Sequence, residues 1–517
     1  MDKEYAELKQ AFEGFVAGTV SAEALKPLAA PSGIYQQRNG LFMLRVRVNG
    51  GEIACLQLGG LAALLESTGG YAHLTSRQDV QLHDVPAERV LEAVLACDRL
   101  GMPFKGGGGN TYRNTVVGAD SGLSRETVFD VYPYAHALNH MLRRFEKAYA
   151  LPRKFKIAFF ASDRDLLRAA IHDLGFVARC ADGRPGFRVY AGGGMGRESA
   201  TGVCLVDFLP AEQVAHAAAA LITLFHDHGD RANRHQARLR FLVKRLGAEA
   251  FMRLFWQYYV TIDPPKLPAL EAETALPAEF AEAKRHVDAT RIEGDAAFAR
   301  WKAIAVLPTR FGEAVKSVRL FVPYGHLTAA QLRRVAQLAE WAGSLFVRLM
   351  ATQDVLIPFV PEPLLPGFYM RLQEELGDVD LTFRSFKGHI VTCVGATVCK
   401  IGMADAPALA DKLAEKLDLF LPADTAQKLA LLRLVADEVR ISGCPNACSG
   451  HPAVRVGIGC LNQNVAGEVR PFGRLLYGAG VTDGVPHLST EGEGGKLMPV
   501  DALVDATVER LKVLAEL

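Results

Sequence analysis

The chain has 517 residues, half of them hydrophobic, and a formal net charge of +1. Near-neutral charge removes any global argument for a nucleic-acid partner, and no stretch reaches the roughly 18 uninterrupted apolar residues that a membrane span needs. The length suits three or four domain-sized units; the charged opening MDKEYAELKQAFEGF lacks the apolar segment of an export leader, and nine cysteines is an odd number, so the expectation is a cytoplasmic protein with free thiols.

Residues 1–32 read as an N-terminal helical arm. LFMLRVRV at 41–48 predicts a strand, ended by the turn Asn49-Gly50-Gly51. A helix through Leu61, Leu64 and Leu65 follows, then a strand over 72–82, then a helix over 87–100 with Val90, Val94 and Leu95 as its apolar stripe. This order predicts a ferredoxin-like half-domain over 33–118. It ends in a glycine-rich segment, 105–110, expected to be a flexible loop.

A larger α/β unit is expected over 119–300. PRKFK at 152–156 puts Lys154 and Lys156 on one strand face and Phe155 on the other. Gly192, Gly193 and Gly194 follow a predicted strand over 187–191 and let backbone N–H groups approach an anion closely. The run is not a G-x-G-x-x-G, so a dinucleotide site is not expected. Arg231, Arg234 and Arg238 fall at i, i+3, i+7 on a predicted helix whose apolar face is Leu239, Leu242 and Leu246. Arg240, Lys244 and Arg245 read as ordinary surface charge. The acidic, alanine-rich segment 268–299 reads as a helical connection.

The same grammar then returns. A strand and turn over 318–326, a helix over 329–342 and a strand over 345–357 predict a second ferredoxin-like half-domain at 305–388. The triplet Gln78-Asp79-Val80 recurs as Gln353-Asp354-Val355, about 275 residues on, too long a period for a solenoid. A second α/β unit is expected over 389–517. The predicted class is α+β, internally duplicated.

That last unit holds Cys393 and Cys399 as C-x5-C, and Cys444 and Cys448 as C-x3-C. Four thiolates in two close pairs suit a cubane iron–sulfur cluster. Neither pair has the C-x2-C spacing usual for structural zinc, and no paired histidines accompany them. Cys460 is read as structural, and His451 as a satisfied loop histidine.

With the repeat, the motifs TCVGATVC and GCPNAC make the chain similar to the siroheme-dependent sulfite and nitrite reductases, from about Gly33 to Gly459. The resemblance implies siroheme and a [4Fe–4S] cluster as cofactors. It makes Cys393, Cys399 and Cys444 cluster ligands and Cys448 the ligand shared with the siroheme iron, with Asn446 shaping the loop between the paired thiolates. FMLRVR resembles the family's substrate-arginine strand, which points to Arg45, with Arg47 on the same face. Arg113 matches the second substrate arginine, and Lys154 and Lys156 the distal lysine pair. Thr75, Arg77, Gln78, Gln81 and His83 resemble donors to siroheme carboxylates, as do the Gly192–Gly194 loop and Arg231, Arg234 and Arg238.

The implied activity is six-electron reduction of sulfite to sulfide, on the ground that the sulfite enzymes tend to carry Lys where Lys156 stands and plant-type nitrite enzymes Asn. Nitrite reduction to ammonia is the alternative. A related precorrin-oxidising enzyme and a non-catalytic iron–sulfur electron-transfer protein are the others. No flavin or NADPH fingerprint occurs, so electrons are expected from a partner, ferredoxin or a flavoprotein.

Overall fold

A computed structural model of the chain describes residues 3–263, 292, 294–377, 385–420, 426–491 and 497–516. Most of the predicted connection 268–299 lies outside the described residues; its end enters the helix Ala296–Ala305.

Among the described residues, each ferredoxin-like half builds a five-stranded sheet, and each sheet is completed by the other half. The first orders its strands Ile34–Gln36, Phe42–Val46, Val80–Val85, Tyr71–Leu74 and then His326–Leu327, a strand from the second half. The second orders Val306–Thr309, Gly312–Leu320, Val355–Pro361, Phe346–Leu349 and then Glu52–Ala54 from the first. In the exchanged pairs, His326 stands opposite His73 and Arg348 opposite Glu52. The two halves therefore do not have separate interiors. One buried cluster runs through both, from Leu44 and Leu82 to Val318 and Val347, and on into Ile441 and Ile458 of the last unit.

The strand expected over 72–82 is a hairpin, Tyr71–Leu74 and Val80–Val85, and its counterpart is Phe346–Leu349 with Val355–Pro361. Both turns place a glutamine in the left-handed region, Gln78 at φ 61° and Gln353 at φ 69°. A side chain tolerates that conformation only when its surroundings hold it there, and the restraint is reciprocal. Gln78 Nε2 donates to the carbonyls of Val117 (2.7 Å) and Leu349 (2.8 Å), while its Oε1 accepts from Val117 N. Gln353 Nε2 donates to the Leu74 carbonyl (3.1 Å), and its Oε1 accepts from Thr392 N. The repeated triplet thus marks a pseudo-twofold joint between the halves.

The two α/β units repeat as well. Val116–Val117, Ile157–Phe160 and Leu174–Ala181 run parallel, and Arg184–Ala191 turns back antiparallel. Val391–Thr392, Val439–Ser442 and Val456–Val465 run parallel in the same way, and Glu468–Tyr477 turns back. The first unit encloses a core of its own around Phe159, Phe176 and Phe187.

Arg348, which occupies the repeat position of His73, shows what the exchange requires. Its guanidinium is 3% exposed, pairs with Glu52 at 3.1 Å and donates to the carbonyls of Ala119 and Ser121. It also lies 3.8 Å from the Tyr132 ring centroid. Arg348→Met should lower the unfolding free energy by roughly 2–3 kcal/mol, since it strands buried acceptors. Turnover per folded molecule should be unchanged. Urea midpoints and specific activity of the soluble fraction check both; a large fall in turnover with an unaltered midpoint would put Arg348 at the substrate instead.

Candidate functional site

Six segments distant in sequence meet around one basic space: the turn 75–79, the residues leading into the Ile157–Phe160 strand, the loop 192–196, residues 238–240 and the two cysteine loops. Phe155 is fully buried and bridges to Tyr112, while its neighbours Lys154 and Lys156, expected on a strand, are half-buried and precede the strand Ile157–Phe160. Among the described residues neither ammonium has a hydrogen bond or an ion pair. Burial and the nearby Arg238 guanidinium push the Lys154 pKa down to about 7. Burial, Arg77 and Lys154 hold Lys156 well below its ordinary value. Cys448 is near enough to oppose both shifts.

Arg45 donates to the Gly107 carbonyl (2.9 Å), and its Nε lies 4.0 Å from Asp79. With the Gln81 amide oxygen turned towards it, Gln81 accepts from Arg45 Nε (3.2 Å) and Nη2 (2.9 Å) and offers its nitrogen to His83. Arg47 reaches the Lys105 carbonyl and stacks on Tyr112. Arg113 spends both terminal nitrogens within the glycine loop, on the carbonyls of Gly108, Gly109 and Thr111. That loop is packed, contrary to the flexible one expected. A Cβ on Gly108 would strike the Ala30 carbonyl, and one on Gly107 would crowd Gly33, so close approach of backbones is what requires glycine there.

The second half carries the counterpart of the Arg45–Asp79 pair in a closed form. Arg319 gives Nε and Nη2 to Asp354 (2.9 and 2.8 Å) and Nη1 to Asp437 (2.7 Å). In the first half Asp79 Oδ1 is buried without a partner. One copy has sealed its arginine in an internal network; the other leaves it available.

Several expected donors are placed differently from their sequence reading. Thr75 Oγ1 caps its own turn, accepting from the N–H groups of Arg77 and Asp79. Gln78 is committed to the joint described above. Arg231, Arg234 and Arg238 are not on a helix: they lie in the irregular segment before the helix Leu239–Leu246. Arg231 caps the carbonyls of Ala150 and His226, and Arg234 is exposed. Arg238 is buried and pairs with Asp173 at 2.8 Å. Arg240, read as surface charge, is buried as well, its Nε and Nη1 without partners. A Cβ on Gly194 would come within 3.0 Å of both the Arg238 and Arg240 guanidiniums, so the glycine loop is a cradle backed by two arginines.

The sequence reading missed Asp173 and His172. Asp173 Oδ2 accepts from the Lys156 backbone N–H as well as from Arg238, which ties strand and clamp together. His172 bridges Arg77 and the Arg168 carbonyl. Neither sits in a recognisable motif, so no local signal could have found them.

The four motif cysteines converge. Burial pushes the Cys393 thiol up to about 12, and Cys448 and Cys444 add to the rise. Cys444, also raised by burial, senses Cys448 and Cys399. The Gly443 N–H donates to Cys393 Sγ at 3.2 Å, and Asn446 partly offsets the rise at Cys444. Cys444 is buried, Cys393 and Cys399 are half-buried and Cys448 is exposed. Ser76 donates to the Cys448 carbonyl at 2.8 Å, joining the first half to this loop. Among the described residues no three metal-binding side chains close on a single ion. Four soft sulfur donors in one neighbourhood are the donor set a [4Fe–4S] cluster takes. The buried donors without partners, Arg77 Nε, Arg238 Nε and Arg240 Nε and Nη1, fit a polycarboxylate such as siroheme. Cys460, by contrast, is fully buried on the strand Val456–Val465, and His451 is buried beneath Gly459.

Comparison with known proteins agrees with this geometry. The nitrite/sulfite reductase ferredoxin-like half domain matches residues 35–97 and again 311–375, and the nitrite and sulphite reductase 4Fe-4S domain matches 108–262. The ferredoxin–nitrite reductase of Synechococcus elongatus is 28% identical over 455 residues, covering 86% of this chain and 79% of its own. Sulfite reductase [ferredoxin] 2 of Mycolicibacterium paratuberculosis is 25% identical, covering 92% and 78%. The sulfite reductase [NADPH] hemoprotein beta-component of Acidithiobacillus ferrooxidans is 25% identical, covering 81% and 74%. The solved structure of the Mycobacterium tuberculosis NirA protein shares the fold with a TM-score of 0.75 at 21% identity, covering 96% of this chain and 89% of that one. No helix among the described residues is long and apolar enough to cross a membrane. The matched halves, the polycationic cradle and the four converging thiols have one common account: the chain belongs to the siroheme-dependent sulfite and nitrite reductase family, whose cofactors are siroheme and a [4Fe–4S] cluster.

Proposed function

We propose that this protein reduces sulfite to sulfide, taking six electrons one at a time from a protein partner. The observation that carries the reading is the pair of half-buried ammonium groups, Lys154 and Lys156, without partners of their own among the described residues and close enough to Cys448 to sense its charge. Charging two neighbouring lysines without a counterion costs free energy, which is what lowers both pKa values, and an arriving dianion offsets that cost.

In this proposal Cys393, Cys399, Cys444 and Cys448 hold the cluster, and Cys448 also ligates the siroheme iron. Arg77, Gln81, His83, Arg238, Arg240 and the Gly192–Gly194 loop line the siroheme side. When bound, the cofactors supply the electrons and the coordination chemistry. The chain supplies charge and protons. Arg45, Lys154 and Lys156 neutralise the anion, and Arg113 adds charge from behind the glycine loop. Reduction of sulfite to hydrosulfide consumes seven protons and releases three waters. A lysine held near neutrality, as Lys154 is, gives up a proton and regains it more readily than an ordinary lysine. The first half-domain (33–118) and first α/β unit (119–300) would form the substrate side. The second half (305–388) and last unit (389–517) would form the cluster side, with 1–32 as an accessory arm. With all nine thiols free, the reading places the enzyme in the reducing cytoplasm.

The relative named as a ferredoxin–nitrite reductase favours a second reading, nitrite to ammonia. That name and the NADPH hemoprotein leave ferredoxin and a flavoprotein as the candidate donors. Turnover of both anions by the loaded enzyme, driven by an artificial one-electron donor, decides between substrates. Sulfite should have the higher kcat/KM; a higher value for nitrite replaces the proposal with the second reading. An absorption spectrum showing a cluster without siroheme bands would leave only an electron-transfer protein.

A further inference from the structure

The turn between the strands Ile34–Gln36 and Phe42–Val46 reaches across the molecule to the loop that carries Cys399. Arg38 Nε donates to the Cys399 carbonyl at 2.9 Å, and Arg38 Nη2 to the Gly402 carbonyl, also at 2.9 Å. Its backbone N–H approaches the Val398 carbonyl at 3.4 Å, and Lys400 returns a bond from Nζ to Gln36 Oε1 at 3.2 Å. Donor and acceptor lie more than 360 residues apart. Within its own unit the loop is held by backbone bonds: Cys399 N–H to the Gly395 carbonyl, Gly402 N–H to the Cys399 carbonyl, and the Met403 and Ala404 N–H groups to the Gly443 carbonyl. The helix Gly395–Val398 is a single turn, and Lys400 and Ile401 beyond it are exposed, so the Arg38 side chain, with the longer Lys400 bond, ties the outer part of the loop to the first half. Nothing in the substrate chemistry calls for this contact. Arg38 is exposed, remote from Lys154 and Lys156 in the sequence, and turned towards backbone oxygens rather than towards a carboxylate.

We infer that Arg38 is a positioning residue for the redox centre: it fixes the loop of Cys399 and sets a positive charge against the peptide of that ligand. The inference rests on the proposed role of Cys399 as a cluster ligand. Two consequences follow from elementary electrostatics. Reduction adds negative charge to the centre, so a guanidinium beside one ligand favours the reduced form and raises the potential. A planar fork bound to two carbonyls also restrains the loop, which a flexible ammonium does in part and a neutral amide hardly at all. The first half-domain would then do more than bind the anion. It would reach over the seam between the halves and tune the cluster that feeds it.

The test uses the holoenzyme, with the cluster followed by electron paramagnetic resonance during a redox titration. In Arg38→Gln the reduced-to-oxidised ratio at a fixed potential should fall threefold or more. A tenfold fall would correspond to about 59 mV for a one-electron couple. Arg38→Lys, which keeps the charge, should recover most of the difference. Iron release to a chelator should accelerate in Arg38→Gln and less so in Arg38→Lys. If Arg38→Gln fails to retain its cluster while Arg38→Lys retains it near the wild-type potential, the assignment stands on iron content. A ratio within threefold of wild type in cluster-loaded Arg38→Gln overturns it, as does an Arg38→Lys protein as impaired as Arg38→Gln. Absence of iron and acid-labile sulfide from the wild-type protein would instead strike the cluster assignment itself, and this inference with it.

Discussion

Cys448→Ser should abolish sulfite turnover and disturb the optical signatures of cluster and siroheme together. Serine offers iron a harder, less polarisable oxygen, and iron in these centres takes soft sulfur. Removing an outer-shell partner of a metal site costs about 10–100-fold, so loss of a ligand shared by two centres should exceed about 100-fold. The structure gives the prediction its contrast. Cys448 is the exposed thiol of the four and lies near enough to both lysines to sense them, whereas Cys460, a dozen residues on, is fully buried in a strand. Cys460→Ser should therefore retain both spectra and lose at most some stability. Iron and siroheme content, absorption spectra and turnover of the two variants check the assignment. Normal sulfite turnover in Cys448→Ser would remove the bridging role, and loss of the cluster in Cys460→Ser would show that the fourth ligand lies there.

Lys156→Asn should depress sulfite turnover far more than nitrite turnover. Losing one charge-assisted hydrogen bond costs about 1.5–3 kcal/mol, or roughly 10–150-fold if all of it appears in the transition state. Sulfite, with two negative charges, loses more than nitrite with one. The crowded, half-buried position sharpens the expectation. Lys156 is crowded by Arg77, Lys154 and Arg238, so its ammonium is held charged chiefly by whatever anion lies before it. Its backbone N–H is pinned to Asp173, so asparagine should not shift the strand. Values of kcat/KM for both anions, with an artificial donor in place of the unknown partner, give the comparison. Equal losses would mean that Lys156 delivers protons to either substrate or places siroheme, and the argument for sulfite would lose its main support.

How much of this was legible beforehand depends on the range over which each feature is encoded. The cysteine pairs and PRKFK are short motifs whose spacing is their meaning, and the structure brings them together around one space. The repeated Gln-Asp-Val pointed to a duplication that the sheets bear out. Its physical role was invisible: two glutamines in left-handed turns, each bonded to the opposite half, which is why two hairpins read as single strands. No composition signal marks a non-glycine residue with positive φ when a partner some 270 residues away holds it. The arginine stripe was misread for a related reason. Its i, i+3, i+7 spacing is helical, yet Arg231 is drawn away to the carbonyls of Ala150 and His226 and Arg238 to Asp173, so the helix begins only at Leu239.

The sequence by itself determined the fold class, the duplication and the family, because each is written in local periodicity or in a motif a few residues long. It also put Arg45 on a strand face, where alternation dictates side, whereas Lys154 and Lys156, expected on a strand, lie just before the strand Ile157–Phe160. Tertiary structure alone decided which copy of the repeat stays open. Arg45 and Arg319 occupy equivalent places, but Asp354 and Asp437 close on Arg319, while Asp79 stands 4.0 Å from Arg45. It likewise decided that Arg240 is buried, that Asp173 anchors the lysine strand and that each half completes the other's sheet. These depend on burial and on contacts between remote segments, and the free energy of a buried charge is set by its neighbours in space rather than in sequence.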